Sequence, residues 1–399
     1  MNATDVYVNK SVSLRFLGQD MSFELSHALF SSFDIDQGSK LLLKAVARYV
    51  DKTAITSILD IGSGTGVLGV SCARAYPGAS LWMRDRDVLA CRFSERNAIR
   101  DKIIPTQVDH ALFLSGLSGH YFDLVVCNVP AKAGAPVLDG FLGALPGMLS
   151  EQGYGAIVVV EPIAQASLES LAASNAVIVG KEIGSGHVAV VFRRGPATNE
   201  KPEKLDSSDI YLRSDQTLRA GNAAYRLNGY WGLPEFDTPS FGTDLAMDHC
   251  EKILAASPVK RALFINPGIG RVACHVQVRA KDAGSDLCAR DALALLASRE
   301  NLSLALRKGA PPAAFVAEAT GLPDEAYDLI VESVDVIPRV DLTEFSWNQS
   351  ARMLKKGGYY VAVMPSSAMD RFEKRKPKIF VRTAERKKKG YACASWRLG

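Results

Sequence analysis

In the segment "ILDIGSGTGVLG" an acid, Asp60, is followed by Gly62, Gly64 and Gly66, spaced to turn a strand into a helix. Glycines there let backbone amides approach a ligand closely and take conformations costly to other residues. The spacing is G-x-G-x-G followed by Val67, so the dinucleotide fingerprint G-x-G-x-x-G is not met. Roughly 20 residues on, "LWMRDRD" sets Asp85 at the end of a second apolar run, where a carboxylate accepts hydrogen bonds from a ribose diol. An acid ahead of the glycines favours a positively charged ligand portion over a pyrophosphate. S-adenosylmethionine (AdoMet) has that character: an ammonium, a sulfonium and a ribose. A third acid, Asp109 in "TQVDHALF", follows the next expected strand and is a candidate for the adenine amino group, with an ordinary loop acid as the alternative.

A later strand, "FDLVVCNVPAKAG", brings an amide, Asn128, and a rigid bend, Pro130, to its end. An asparagine there is either a contact for a substrate or the cap of a turn. Lys132 in the same loop is a candidate for a phosphate or acidic substrate, although an exposed lysine needs no special explanation.

The elements that must position these residues alternate between strand and helix. "ITSILDIG", "ASLWMRD", "FDLVVCNVP" and "YGAIVVVEP" are apolar strand runs, and "GVLGVSCARAY" and "VLACRFSERNAI" have helical spacing. Continuous apolar strands suit a parallel sheet covered on both faces. "NAVIVGKEIGSGHVAVVFRR" reads as a closing antiparallel hairpin. The same plan recurs. "RDVLACRFSERNA" aligns with "RDALALLASRENL", matching Asp87 to Asp291 and Asn97 to Asn301, and "YFDLVV" aligns with "AYDLIV", matching Asp123 to Asp328. "PGMLSEQGYGAIVVVEP" aligns with "ARMLKKGGYYVAVMPSS", and "DVYVNKSVSLR" with "DIYLRSDQTLR", all at a separation of 204 or 205 residues. The expectation is a tandem duplication of an α/β sheet, with domains at 1–195 and 207–399 joined by a polar, proline-punctuated linker at 196–206.

Asp60 to the glycines, Asp85, Asp109 and the strand ending in Asn128, in that order, resemble the class I AdoMet-dependent methyltransferases. More narrowly, "LFSSFDIDQGSKLLL", through Phe30, Asp36, Gly38, Ser39 and residues 41–43, resembles the small-domain methyltransferases that include ribosomal RNA guanine-N2 enzymes. The fold implied is two tandem Rossmann-like methyltransferase domains, each an open, mostly parallel sheet ending in an antiparallel hairpin. Enzymes that methylate a planar nitrogen often end this strand with Asn-Pro-Pro and an aromatic residue. By that resemblance Asn128 and Pro130 are the catalytic pair, the side-chain oxygen of Asn128 accepting a substrate N–H. Val129 and Ala131 depart from the pattern, and Phe30 or Phe33 is the candidate replacement for the missing ring. The implied substrate is a base in ribosomal or other structured RNA.

In the second half "LFINPGIGRVA" aligns with the glycine loop. Set against the acid, Asn266 replaces Asp60 and Pro267 replaces Ile61; Ala289 stands for Asp85, Ser333 for Asn128 and Asp335 for Pro130. The expectation is a retained fold without a cofactor site. Its basic runs "DRFEKRKPK" and "TAERKKKG" hold Arg375, Lys376, Lys387, Lys388 and Lys389, which are expected together at the carboxyl edge of the sheet as an RNA footprint. A solubilising charged hairpin is the alternative.

The formal net charge of +4 alone implies no polyanion, but residues 370–399 hold 11 Lys and Arg against 3 Asp and Glu. The 7 Cys never form a C-x-x-C spacing and the 6 His form no zinc motif, so neither disulfides nor a metal site is expected. No apolar run suggests a signal peptide or a membrane span, making a cytoplasmic protein the expectation. The rival functions are methylation of a small molecule or a protein side chain, and a non-enzymatic binding module.

Overall fold

The structure is a computed structural model that describes residues 4–30, 33–51, 53, 55–196, 208–235, 237–306, 315–316 and 318–399. The chain divides into two compact units, Met1–Tyr211 and Leu212–Gly399. Apart from Pro196, the expected linker lies outside the described residues.

In the first unit a hairpin, β1 (Lys10–Phe16) and β2 (Gln19–Leu25), precedes α1 (Gln37–Tyr49). Then follow β3 (Ser57–Ile61), α2 (Val67–Ala75), β4 (Ser80–Asp85), α3 (Val88–Arg100), β5 (Gln107–His110), β6 (Phe122–Asn128), α4 (Ala135–Ala144) and β7 (Leu149–Val160). After α5 (Ala164–Ala173), the strands β8 (Ala176–Gly184) and β9 (His187–Arg194) close the sheet. Its order is β5-β4-β3-β6-β7-β9-β8, with β9 antiparallel to β7 and to β8. The chain leaves β3 toward β4 on one side and returns to β6 on the other. Such a switch point opens a crevice beyond the carboxyl ends of the strands.

The second unit repeats this plan. It runs β10 (Leu212–Ala220), β11 (Ala223–Tyr230), α6 (Phe241–Ala256), β12 (Arg261–Ile265), α7 (Arg271–Arg279), β13 (Gly284–Cys288), α8 (Ala292–Leu306) and β14 (Phe315–Val316). It continues with β15 (Tyr327–Ser333), α9 (Thr343–Met353), β16 (Leu354–Pro365), α10 (Ser366–Lys374), β17 (Phe380–Lys388) and β18 (Tyr391–Leu398). Its order, β14-β13-β12-β15-β16-β18-β17, is the same. Each sheet therefore is mostly parallel and ends in an antiparallel hairpin, as the sequence led us to expect.

The repeated residues turn out to be joints of this plan. Asp87 accepts Leu89 N at 2.9 Å to cap α3, and Asp291 accepts Leu293 N at 2.9 Å beside α8. Asp123 accepts the amides of Thr56 and Ser57, as Asp328 accepts those of Lys260 and Arg261, tying neighbouring strands at the amino edge. The turns Ser185-Gly186 and Lys389-Gly390 have positive φ at both residues, the geometry that suits a two-residue hairpin. Trp347 and Trp396 are buried core rings, with Trp347 Nε1 donating to Phe372 O at 3.0 Å.

Asn97 and Asn301 are fully buried. Asn97 Nδ2 donates to Thr65 O at 2.8 Å and Glu24 O at 3.1 Å, while its Oδ1 accepts Glu24 N at 2.9 Å. Asn301 makes the matching bonds to Ile269 O and to both backbone atoms of Asn228. Each asparagine thus clamps the glycine loop and the leading hairpin to the following helix. Asn97→Ala removes the partner of one buried and two part-buried backbone groups and is expected to cost about 2–4 kcal/mol. A thermal melt that drops by several degrees checks this; an unchanged melt contradicts it.

Candidate active site

At the carboxyl edge of the first sheet, β3 passes through residues 62–66 into α2. Gly62, Gly64 and Gly66 all have positive φ, at 68°, 55° and 81°. Their surroundings divide them. A Cβ on Gly66 would stand 3.0 Å from the Cα of Ser94, so that glycine serves the close approach of α3. At Gly62 and Gly64 nothing lies within 4 Å of the Cβ position. These two face open space, as the floor of a ligand cradle must.

Asp85 ends β4 beside them. Its Oδ2 accepts Gly64 N at 2.9 Å and its Oδ1 accepts Asp87 N at 2.9 Å. A carboxylate offers about four acceptor positions, so capacity for two hydroxyls remains. Burial pushes its pKa up to about 6, against the lowering effect of those two amides.

Asp60 stands elsewhere than its expected contact role requires. The side chain is fully buried beneath the loop, with Oδ2 accepting Gly69 N at 2.8 Å inside α2. Strand alternation turns it toward the helix, away from the crevice. Its Oδ1 is buried with no hydrogen-bond partner among the described residues, and burial raises its pKa to about 7. Asp109, on β5, has protein partners of its own. It lies 3.7 Å from the buried Arg84 guanidinium and accepts Gln107 Nε2 at 2.7 Å.

Asn128, the last residue of β6, is held by α1. Its Nδ2 donates to Asp36 Oδ2 at 2.7 Å and lies 3.2 Å from Ser39 Oγ. Asp36 caps α1, also accepting Ser39 N at 3.0 Å. An acceptor-only carboxylate fixes the amide orientation. The Nδ2 faces the helix, and Oδ1 is the amide's acceptor atom. Pro130 is exposed, Val129 is buried with its N–H donated to Val158 O at 2.9 Å, and Lys132 lies exposed in the turn that follows. Phe30 and Phe33 are exposed large apolar side chains before α1, and Phe33 meets His27 edge-on at 5.0 Å.

The partner of Asn128 was not legible as such. Asp36 sits 92 residues earlier, and only the family resemblance of its segment marked it. Asn97 was marked by repetition but its role as a clamp was not.

In the second unit the backbone corrects the alignment of the glycine loop by two residues. Gly268 and Gly270, with φ of 59° and 81°, match Gly64 and Gly66, and Asn266, with φ of 53°, takes the place of Gly62. Asp60 is therefore matched by the buried Phe264, because Arg261 starts β12 as Ser57 starts β3. A G-x-G pattern overlaps itself when shifted by two, which hid the slip. The Asn266 side chain spans to Ser333 O at 3.0 Å, at the strand end equivalent to that of Asn128.

The two basic runs do not meet. Lys387, Lys388 and Lys389 lie at the β17–β18 turn, beside Pro365 at the carboxyl end of β16. Arg375 and Lys376 lie at the other end of β17, because α10 carries the chain back along the sheet. Lys376 Nζ donates to Phe380 O at 2.6 Å and Arg375 pairs with Glu344. Lys387 is 3.7 Å from Asp370 and Lys388 is 3.9 Å from Asp244, exposed pairs of the kind worth about 0–1 kcal/mol. No helix among the described residues is long and apolar enough to cross a membrane.

Comparisons with known proteins agree with this arrangement. Residues 20–178 match the family described as the methyltransferase small domain. Ribosomal RNA small subunit methyltransferase C of Vibrio cholerae is 30% identical over 125 residues, which are 31% of this chain and 35% of that protein. The uncharacterized protein YbxB of Bacillus subtilis is 28% identical over 127 residues, 32% of this chain and 62% of that one. The chain spans about a third of the length of the first curated relatives it matches. Among solved structures, the T. thermophilus 16S rRNA N2 G1207 methyltransferase (RsmC), in complex with AdoMet and guanosine, superposes with a TM-score of 0.69 at 16% identity. That match covers 99% of this chain and 100% of the other, so the tandem fold is shared over both units. The stretch that matches the methyltransferase small domain, residues 20–178, contains the cradle, Asp85 and the Asp36–Asn128 pair.

Proposed function

We propose that the first unit is an AdoMet-dependent methyltransferase acting on a planar nitrogen, and that its substrate is a base in ribosomal RNA. The observation that carries this is the Asp36–Asn128 bond at 2.7 Å, which presents an amide oxygen beside the open glycine cradle. AdoMet, when bound, supplies an electrophilic methyl group. The amides of Gly62 and Gly64 and the carboxylate of Asp85 suit its nucleoside, and the charge on Asp60 favours its cationic portion. Asn128 Oδ1 accepts one N–H of the acceptor amine and holds its nitrogen in line. Proximity and alignment then do most of the work, up to about 7–11 kcal/mol in favourable systems. Pro130 shapes the pocket wall, Phe30 offers a ring to a base, and Lys132 offers a charge to a phosphate.

The second unit is silent toward AdoMet in this reading. Asn266 fills the position of Gly62, Ala289 lacks the carboxylate of Asp85, and Ser333 lacks the amide of Asn128. It serves RNA binding through Lys387, Lys388 and Lys389. Neutralising these three is expected to weaken RNA binding about tenfold and to flatten its salt dependence, with AdoMet affinity unchanged. An unchanged salt slope removes the assigned role.

Incubation of the protein with labelled AdoMet and ribosomal RNA or ribosomal subunits tests the main reading. Label in an RNA base supports it; label only in protein or small molecules, or none, overturns it.

The raised pKa values of Asp60 and Asp85, about 7 and about 6, give a pH signature. Both carboxyls hold protons more tightly in the folded chain than in the unfolded one, so unliganded stability falls as pH rises from about 4 to 7. The ionised form of Asp85 is the better hydroxyl acceptor, so AdoMet affinity rises as pH rises through about 6. Melts and calorimetry across this range check both signs.

A further inference from the structure

Gly38, the second residue of α1, has no room for a side chain. A Cβ there would stand 2.8 Å from Asp36 Oδ2 and 2.9 Å from His187 Cδ2. The imidazole therefore lies against the tip of the helix whose cap holds Asn128. His187 heads β9 and pairs with Val160 of β7, two positions beyond Val158, the β7 partner of Asn128. Ring and amide so share the carboxyl edge of the sheet.

The tautomer follows from one bond. His187 Nδ1 lies 2.7 Å from Ser185 O, and a carbonyl only accepts, so Nδ1 carries the hydrogen. In the neutral ring Nε2 is then an acceptor.

The second unit separates packing from chemistry at this position. Tyr391, which heads β18, sets its Cδ1 2.8 Å from the Cβ position of Gly242. A ring over this glycine thus belongs to the fold. The ionisable ring occurs in the unit that also has Asp36 and Asn128; its counterpart has Ser240 and Ser333 in those places.

We propose that His187 Nε2 is the second acceptor for the amine that becomes methylated, taking one N–H while Asn128 Oδ1 takes the other. The inference rests on the methyl-transfer reading above. The nitrogen lone pair forms the new N–C bond, the methyl–sulfur pair leaves with the sulfur, and the cationic amine returns to neutrality by giving one proton to Nε2. The imidazolium, half-exposed at the sheet edge, releases that proton to water. Two acceptors on one amine also turn its lone pair out of conjugation with the base, which a single amide does less well.

The test uses the full chain as His187→Tyr, which keeps a ring over Gly38, and as His187→Ala. The expected result for H187Y is a kcat for methyl transfer reduced about 100-fold or more, with the AdoMet Kd and the melting temperature essentially unchanged. Added imidazole is expected to restore part of the H187A rate. Nitrogen NMR of the unliganded wild type is expected to show His187 protonated at Nδ1 and free at Nε2. An active wild type alongside an H187Y rate within threefold of it, an H187A rate indifferent to imidazole, or an Nε2-protonated neutral ring overturns the inference alone. A wild type that methylates nothing overturns the methyl-transfer reading and this inference with it.

Discussion

Asp85→Ala is expected to weaken AdoMet binding by more than about 100-fold, to the limit of calorimetric detection. Two losses combine. The ligand loses a carboxylate acceptor for its ribose, and charged hydrogen bonds are worth about 1.5–3 kcal/mol each. The cradle also loses its brace, since the same carboxylate holds Gly64 N and Asp87 N. Together these exceed the roughly 2.7 kcal/mol that a hundredfold change in Kd represents. The wild type should bind one AdoMet per chain and the variant none. Two equal sites in the wild type contradict the silence of the second unit, and an unaffected Kd in the variant removes Asp85 from the site.

Asn128→Asp is expected to lower methyl transfer about a thousandfold while leaving AdoMet affinity within a few-fold. Asp36 Oδ2 now accepts from Asn128 Nδ2 at 2.7 Å, and the substitution sets two carboxylates at that distance. They cannot both ionise cheaply, so they share a proton or swing apart. Either way the oxygen offered to the substrate is displaced, and small displacements at a reacting centre are costly. The exchange Asp36→Asn with Asn128→Asp restores a donor opposite an acceptor, and it is expected to recover part of the rate. If N128D transfers methyl groups as the wild type does, the amide has no part in the reaction.

The architecture was legible because it is written in strong, periodic signals. Apolar strands, helical runs and the duplicated order of both halves led to two mostly parallel sheets closed by hairpins, and that arrangement was found. The places of Asn128 and Asp85 were legible because each ends an apolar strand, at the carboxyl edge of the sheet. Side-chain direction was not. Asp60 and Asp109 have the right spacing, yet Asp60 points under α2 and Asp109 pairs with Arg84. The basic run at residues 371–378 was expected beside the hairpin turn, but α10 returns the chain to the opposite edge. Contacts across the sheet, such as Asp36 with Asn128 or His187 with Gly38, leave no mark in a local pattern.

The glycines of the loop differ in which side constrains them. Gly66 and Gly270 are pressed from behind by Ser94 and Ser298, whereas Gly62 and Gly64 are empty in front. Positive φ still strains most side chains at the open positions, and the second unit has exchanged only one of them, for Asn266 at φ 53°, a residue type that tolerates this region, while the rear contacts hold the scaffold. Such a copy can change the face it offers to a ligand without disturbing the turn that carries it.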